Sequence, residues 1–444
     1  MKDKVITLFE HEKVDLKERG ITLKEREVRA LESFNTKFRK KQNADALNLE
    51  YRGGKLRSIK ARNYVGVIKV ETQSFQIIPK LSREESSSDY SKQAIRNLLF
   101  MLSYTKKIKI KEAELAGLNR VKDDFFETLI YLYSKNLLDL IQNNVYKNYV
   151  DLEGNLIFLK GKIDMPRHIK NNSVSKNRFY VKYEEFCEDN LLNQIFKYTT
   201  HLLLKTTKSN YNYKKLQEIS FLFDEVSFKK ISSRDFERVT LNRLNSSYEP
   251  VLNLAKIFVM GSSLEMSPSN INTFSFLFDM NILFEEFIGE ITKKIFFGGD
   301  HKVSTQGPFK YLVQEMNGHK VNKFRMIPDI QILNRRDGVL DLIVDTKYKI
   351  LDFNDNNYGI KQSDLYQMFA YSKKFNCEYI ILLYPRLEEQ NIEESNFKLD
   401  EYTHVYKRTV NLCRDLTAKE QREELKQELK DIFYINTPID ENVN

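Results

Sequence analysis

Two aspartates and a lysine stand out in the stretch FRMIPDIQILNRRDGVLDLIVDTKYKI, residues 324–350. Asp329 and Asp345 each adjoin an apolar run of strand character. Met326, Ile327, Ile330, Ile332 and Leu333 precede the break, and Val339, Leu340, Leu342, Ile343 and Val344 follow it. Between them Asn334-Arg335-Arg336-Asp337-Gly338 is turn punctuation, with Asp-Gly the strongest local hairpin cue. Strands this apolar belong in a buried sheet, where an unpaired carboxylate is costly. A register centred on Asp337 sets Leu333 opposite Asp341 and position 329 opposite position 345. Directly opposed side chains share a face, and Lys347, two residues beyond Asp345, points the same way. Two carboxylates and an ammonium then converge, provided no bulge intervenes. Acids held so close repel unless a proton or cation lies between them. Mg²⁺ takes carboxylate oxygens, keeps several waters and engages a substrate phosphate, and Mn²⁺ can substitute for it. The lysine would position the attacking water or stabilise charge in the transition state.

A structural ion pair between Lys347 and Asp345 on a solvated sheet edge is the competing account. Acid-x-Lys triplets also occur at Asp15-Leu16-Lys17, Glu424-Leu425-Lys426 and Glu428-Leu429-Lys430, so a triplet alone carries little weight. What separates residues 345–347 is the strand context, the partner Asp329 and an upstream helix bearing Glu285.

The elements that must position these residues can be read more coarsely. A chain of 444 residues suggests two or three domains, each able to bury a core. Lys plus Arg number 71 against 62 Asp plus Glu, a net charge of +9 that permits a polyanionic partner without demanding one. No run has the length of a membrane helix, and MKDKVITLFEHEK lacks the apolar core of a signal peptide. Cys187, Cys377 and Cys413 are odd in number and widely spaced, as expected of reduced thiols in a cytoplasmic protein. Six histidines form no HExxH-like cluster, which argues against zinc.

The pattern predicts an α/β protein. Residues 1–81 are β-rich after an early helix over 21–34, and the Ser-rich 82–92 reads as a linker. Residues 82–266 form a mostly helical middle region, clearest over 123–142 and 189–204. Residues 267–444 hold a long buried helix over 271–297, the hairpin, a helix over 363–375, a strand over 378–385 and a charged helix over 418–435, an order that suggests a mixed sheet. Within the middle region, residues 143–182 carry eight Lys/Arg against three Asp/Glu with aromatic residues interleaved. Lys160, Lys162, Arg167, Lys170, Lys176 and Arg178 could track a phosphate backbone, and an ordinary solvated loop explains them equally well. A P-loop is missing. The nearest look-alike, Gly154 to Ile163, has six residues between its glycines and Ile163 where Ser or Thr must hold Mg²⁺, so this chain should not hydrolyse a nucleotide alone.

Pro328-Asp329 followed by Asp345-Thr346-Lys347 resembles the PD-(D/E)xK nuclease signature. More specifically, FDMNILFEEF (278–287), MIPDIQI (326–332), IVDTKYKI (343–350) and SDLYQMFAY (363–371) resemble the McrC family, the nuclease subunit of McrBC-type modification-dependent restriction systems. The likeness continues in YVGVIKVETQSFQIIPKL (64–81), LKGKIDMPRHIKNN (159–172) and VKYEEFCEDNLLNQIFKY (181–198). It implies a C-terminal nuclease domain with a central mixed sheet flanked by helices. It implies a metal set of Asp329, Asp345 and Thr346, with Lys347 assisting hydrolysis of double-stranded, modified DNA. Glu285 and Gln367 are further candidates; a helix-surface charge and a polar helix-face residue are their plainer readings. Tyr366 and Tyr371 read as packing. The resemblance also implies a separate McrB-like AAA+ GTPase hexamer that binds the GTP and docks through residues 1–81. Two alternatives stay open: a stand-alone PD-(D/E)xK nuclease, and a non-cutting adaptor that only activates the GTPase.

Overall fold

The computed structural model of the protein describes residues 5–70, 73–80, 88–105, 124–142, 144–174, 176–263, 273–316, 320–351, 355, 357–386 and 394–434. The chain divides into two compact units, one of residues 1–123 with 277–444 and one of residues 124–276.

The first unit begins with β1 (Val5–Phe9), β2 (Lys13–Asp15), α1 (Glu25–Gln42), β3 (Leu47–Arg52), β4 (Lys55–Ala61), β5 (Tyr64–Val70), β6 (Gln73–Ile78) and α2 (Ser88–Tyr104). Helix α1 starts later than the 21–34 pattern suggests. It buries Leu31, Phe34 and Phe38 on one face and stops at Asn43, whose left-handed backbone ends the helix. Gly53 and Gly54 both have positive φ, 59° and 75°, the conformation a tight β3–β4 turn needs. Of the expected linker, residues 82–87 lie outside the described residues, and from Ser88 the chain is already helical.

The second unit contains α3 (Phe125–Ile141), β7 (Asn148–Leu156), β8 (Lys162–Ile163), α4 (Met165–Asn172), β9 (Phe179–Cys187), α5 (Leu191–Leu204), α6 (Asn210–Leu222), α7 (Ser233–Glu237) and α8 (Glu249–Ser263). Its basic segment is folded rather than a loop: β7, β9 and β8 form an antiparallel sheet. Dense charge along that stretch masks the period-two pattern in the sequence.

Strand β10 (Thr273–Asp279) then leads to α9 (Met280–Ile295), where the sequence suggests one helix over 271–297. Phe274, Phe276 and Phe278 alternate as a strand does, and the Asp279 carboxylate accepts the Asn281 N–H to start the helix. That short alternation runs without a break into the apolar residues of α9, so the whole of 271–297 reads as one buried helix.

The C-terminal part of the first unit contains β11 (His301–Thr305), β12 (Lys310–Glu315), β13 (Val321–Met326), β14 (Ile330–Asn334), β15 (Leu340–Thr346), α10 (Gln362–Phe375), β16 (Tyr379–Arg386), β17 (Ser395–Lys398), β18 (His404–Asn411) and α11 (Lys419–Tyr434). A six-stranded mixed sheet runs β11-β14-β15-β16-β18-β17, parallel at β15–β16 and β16–β18 and antiparallel elsewhere. Helix α9 packs on β11 and β15, α10 on β16, and α11 on β18. Ile343, Ile380, Leu382 and Val405 meet Met368 and Phe375 of α10 in a buried cluster. The molecule is therefore mixed α/β with several sheets. No described helix is long and apolar enough to cross a membrane.

The hairpin register departs from the symmetric expectation at one place. Ile330 faces Val344 and Ile332 faces Leu342, as a centre at Asp337 requires. Leu333, however, faces Leu340 rather than Asp341, because a bulge falls between Ile332 and Leu333. The bulge lies on the turn side, so the register next to Asp329 and Asp345 is intact.

Candidate active site

The three residues singled out from the sequence meet at one end of the β14–β15 pair. Asp345 is on β15, whose Ile343, Val344 and Asp345 face Ile380, Ile381 and Leu382 of β16. Flanked by apolar strands on either side, its side chain is only 1% exposed. Its Oδ2 is ion-paired with the Lys347 ammonium at 2.8 Å. Asp329 sits in the bend before β14, half-buried. Its Oδ2 accepts the Thr346 backbone N–H and the Thr346 hydroxyl, both at 2.8 Å. The Thr346 side chain is thus engaged in holding Asp329.

Lys347 continues past the end of β15, its N–H donating to the Leu383 carbonyl at 2.9 Å. Its ammonium also donates to Gln367 Oε1 at 3.2 Å. Gln367 in turn donates to the Tyr371 hydroxyl at 2.9 Å, which donates to the Ile327 carbonyl at 3.0 Å. Tyr371 does more than pack: it links α10 to the segment that leads into Asp329. Tyr366 points to solvent and is bound by Gln362.

Glu285 enters from α9. Its Oε1 accepts a hydrogen bond from the Gln306 side chain, while the Gln306 N–H donates to the Asp329 carbonyl at 3.1 Å. Gln306 was invisible in the sequence. It has positive φ, 57°, in a turn before Pro308 that carries no catalytic signature. Close packing holds α9 against this strand, since a Cβ added at Gly289 would meet Thr305 Cγ2 at 2.8 Å.

The electrostatics follow from burial. Desolvation, then the Asp329 charge, push the Asp345 carboxyl up to about 7, against the pull of Lys347. Glu285 is pushed up to about 7 by burial first and then by Asp329. Burial also raises Asp329, with the Thr346 hydrogen bonds and Lys347 working the other way. Lys347 loses some basicity to burial, but Asp345 and Asp329 outweigh that and hold it above its ordinary value. All three acids around the one ammonium are thus raised, chiefly by burial.

Of the basic residues in the second unit, Lys160 lies 3.3 Å from Glu185, and Arg167 pairs with Glu153 and donates to Tyr180 at 3.2 Å. Lys182 holds Asp164 at 2.9 Å. Lys162, Lys170, Lys176 and Arg178 have no ion-pair partner among the described residues.

Residues 59–385 match the family described as McrBC 5-methylcytosine restriction system component. The type IV methyl-directed restriction enzyme EcoKMcrBC of Escherichia coli strain K12 is 24% identical over 360 residues, covering 76% of this chain and 97% of that protein. Among solved structures, the fold matches a refined half-complex from the tetradecameric assembly of Thermococcus gammatolerans McrB AAA+ hexamers with bound McrC. That match has a TM-score of 0.72 and 23% identity, over 97% of this chain and 100% of that one. The cryo-EM structure of the T. gammatolerans McrBC complex matches with a TM-score of 0.51 and 29% identity, over 66% of this chain and 88% of that one. The chain belongs to the McrBC 5-methylcytosine restriction system component family, as a McrC-type protein.

Proposed function

We propose that this chain is the DNA endonuclease subunit of a McrBC-like, type IV-like restriction complex in antiphage defence, cutting phosphodiester bonds by Mg²⁺-dependent hydrolysis. The observation that carries the reading is the convergence of Asp329, Asp345 and Lys347 at the end of paired strands, in the order of the PD-(D/E)xK signature. Family membership and the solved McrB–McrC complexes support a McrB-like AAA+ GTPase hexamer as partner, which binds the GTP and is stimulated by this chain. The methyl-directed activity named for the E. coli relative supports modified double-stranded DNA as the substrate.

The acid pair fits Mg²⁺. Both carboxyls are raised by burial, Asp345 in spite of its ion pair with Lys347. Among the described residues no three His, Cys, Asp or Glu side chains form a cage, but Mg²⁺ needs only one or two carboxylates beside waters and substrate phosphate. Asp329 and Asp345 would hold the ion, with Thr346, whose hydroxyl serves Asp329, as the third candidate. When bound, the ion supplies Lewis-acid polarisation of the phosphodiester and a more acidic water. Lys347, fixed by Asp345 and Gln367, presents positive charge to the oxygen that becomes more negative in the transition state. Glu285, near 7, can accept a proton from the attacking water at neutral pH. Gln306 and Tyr371 position the acids and the amide.

Plasmid cleavage with Mg²⁺, partner and GTP tests this. Asp345→Asn should lower cleavage by orders of magnitude while GTPase stimulation survives. Full cleavage by Asp345→Asn would remove this chain from the chemistry and leave the adaptor reading. Efficient wild-type cutting without partner or GTP would favour a stand-alone nuclease.

A further inference from the structure

Beyond Lys347 the acid site opens into a cleft of about 770 Å³ lined by His11, Asn63, Lys80, Asn281, Lys349 and Lys361, among others. Two of these side chains fix its floor: Asn63 and Asn281 both donate to Asp279 Oδ1, at 3.1 and 2.9 Å. The N-terminal segment is thereby tied to the first turn of α9, the helix that carries Glu285 one turn further on. A second tie joins Tyr348, next to Lys347, to Glu10 at the end of β1. The Tyr348 hydroxyl donates to Glu10 Oε1 at 2.6 Å, and the same oxygen accepts the Lys80 N–H at 3.1 Å.

Resting on the nuclease reading, we propose that this cleft is a groove for the sugar–phosphate backbone of duplex DNA flanking the bond to be cut, and that residues 5–80 supply part of its cationic wall.

Three observations converge on an anionic strand. First, the groove and the acid site share Lys347 and draw on the same two helices: α9 gives Asn281 and Glu285, and α10 gives Gln367 just after its N-cap Lys361. A polymer lying on the acids therefore continues into the groove. Second, the field there is positive: His11 is held below its ordinary pKa by burial, then by Lys60, Arg62 and Lys80. Lys349 and Lys361 line the cleft and Arg62 lies beside it, within electrostatic reach of His11; none of the three has an ion-pair partner among the described residues, and the Lys349 ammonium donates only to the Gly359 carbonyl. Third, one of the two acids in the groove is partly neutralised. Burial pushes Glu10 up to about 7, so that part of it is protonated at neutral pH, while Asp364 accepts the Lys361 N–H at 3.4 Å and its charge reaches Lys347.

The test is fluorescence anisotropy of the full chain on a short labelled duplex across a NaCl series, with Ca²⁺ in place of Mg²⁺ to prevent cutting. The variants are Lys361→Ala alone and the triple Arg62→Ala, Lys349→Ala, Lys361→Ala. Affinity should fall, and the log–log salt slope should become shallower by up to about one unit per lost phosphate contact. Melting temperatures should stay at the wild-type value because these side chains are exposed; Lys361→Ala carries the test if the triple variant does not fold. An unchanged slope in folded variants overturns the groove, as does loss of GTPase stimulation with DNA binding intact, which would assign these cations to the protein partner. A wild type that cuts DNA while the triple variant binds with the wild-type slope sinks the groove alone. A wild type that binds with the expected slopes and never cuts sinks the nuclease reading alone.

Discussion

Asp329 Oδ2 accepts two hydrogen bonds from a single residue, the backbone N–H and the hydroxyl of Thr346, each at 2.8 Å. One acid of the pair is thus oriented by the residue that follows the other. Thr346→Val removes the hydroxyl donor at nearly constant volume and frees Asp329 to rotate. Mn²⁺ affinity by calorimetry should drop about 10- to 100-fold, the usual effect of losing a group that orients a ligand. Thr346→Ser should restore it. Equal affinity in wild type and Thr346→Val would show that Asp329 is not oriented this way, or is no ligand.

Without metal the acid cluster should destabilise the fold it decorates. Asp345→Asn removes a buried charge placed close to Asp329, so the metal-free melting temperature should rise or hold steady. Mn²⁺ should raise the wild-type melting temperature and leave that of Asp345→Asn where it was. A variant that melts lower and still responds fully to Mn²⁺ would contradict both parts.

Glu10 gives a pH dependence outside the acid pair. Its folded pKa, near 7, lies above its ordinary 4.5, so the folded state binds the proton more tightly than the unfolded chain does. The stability it contributes is complete below about pH 4.5 and is lost as pH rises through 7, on the order of 3 kcal/mol in all. Glu10→Gln keeps an acceptor for Tyr348 and cannot ionise. Its denaturant midpoint should fall less than that of wild type between pH 5 and 8; parallel curves would refute the assignment.

The packing of α9 offers a test of how tightly Glu285 must be held. Gly289→Ala places a methyl group 2.8 Å from Thr305 Cγ2, a stiff β-branched side chain, and should cost about 1–3 kcal/mol. Thr305→Ser deletes the clashing methyl and should recover most of that loss in the double variant. Cleavage should follow the same order, because Glu285 shifts against Gln306 when α9 moves.

In the second unit the basic residues should divide by their partners. Lys162, Lys170 and Arg178 are available for phosphate, whereas Lys160 and Arg167 are engaged with Glu185 and Glu153. Alanine at the first three should make the salt slope of DNA binding shallower, and alanine at Lys160 and Arg167 should change it little. The reverse ranking would mean that the ion pairs open on binding.

The acid pair and Lys347 were legible because strand alternation and an Asp-Gly turn are local signals, and because the register error fell on the far side of the bulge. Glu285 and Gln367 were named from their segments, while of the links around them Gln306 was not named and Tyr371 was read only as packing. A turn glutamine and a helix tyrosine have no distinguishing spacing. Strand β10 was misread because Phe274 to Phe278 sit in a run apolar enough for a buried helix. The Glu10–Tyr348 contact spans 338 positions, and nothing local to either residue announces it.

The bulge between Ile332 and Leu333 also separates the hairpin into two mechanical parts. On the inner side, Ile330 and Ile332 are locked against Val344 and Leu342 by fully buried side chains that resist sliding. On the outer side, the exposed turn around Arg335 to Gly338 can change length or carry cargo, with the irregularity absorbing the slip before it reaches the acids. That turn is a natural port for a fluorophore or affinity handle, one that would report on the nuclease sheet without shifting the distance between Asp329 and Asp345.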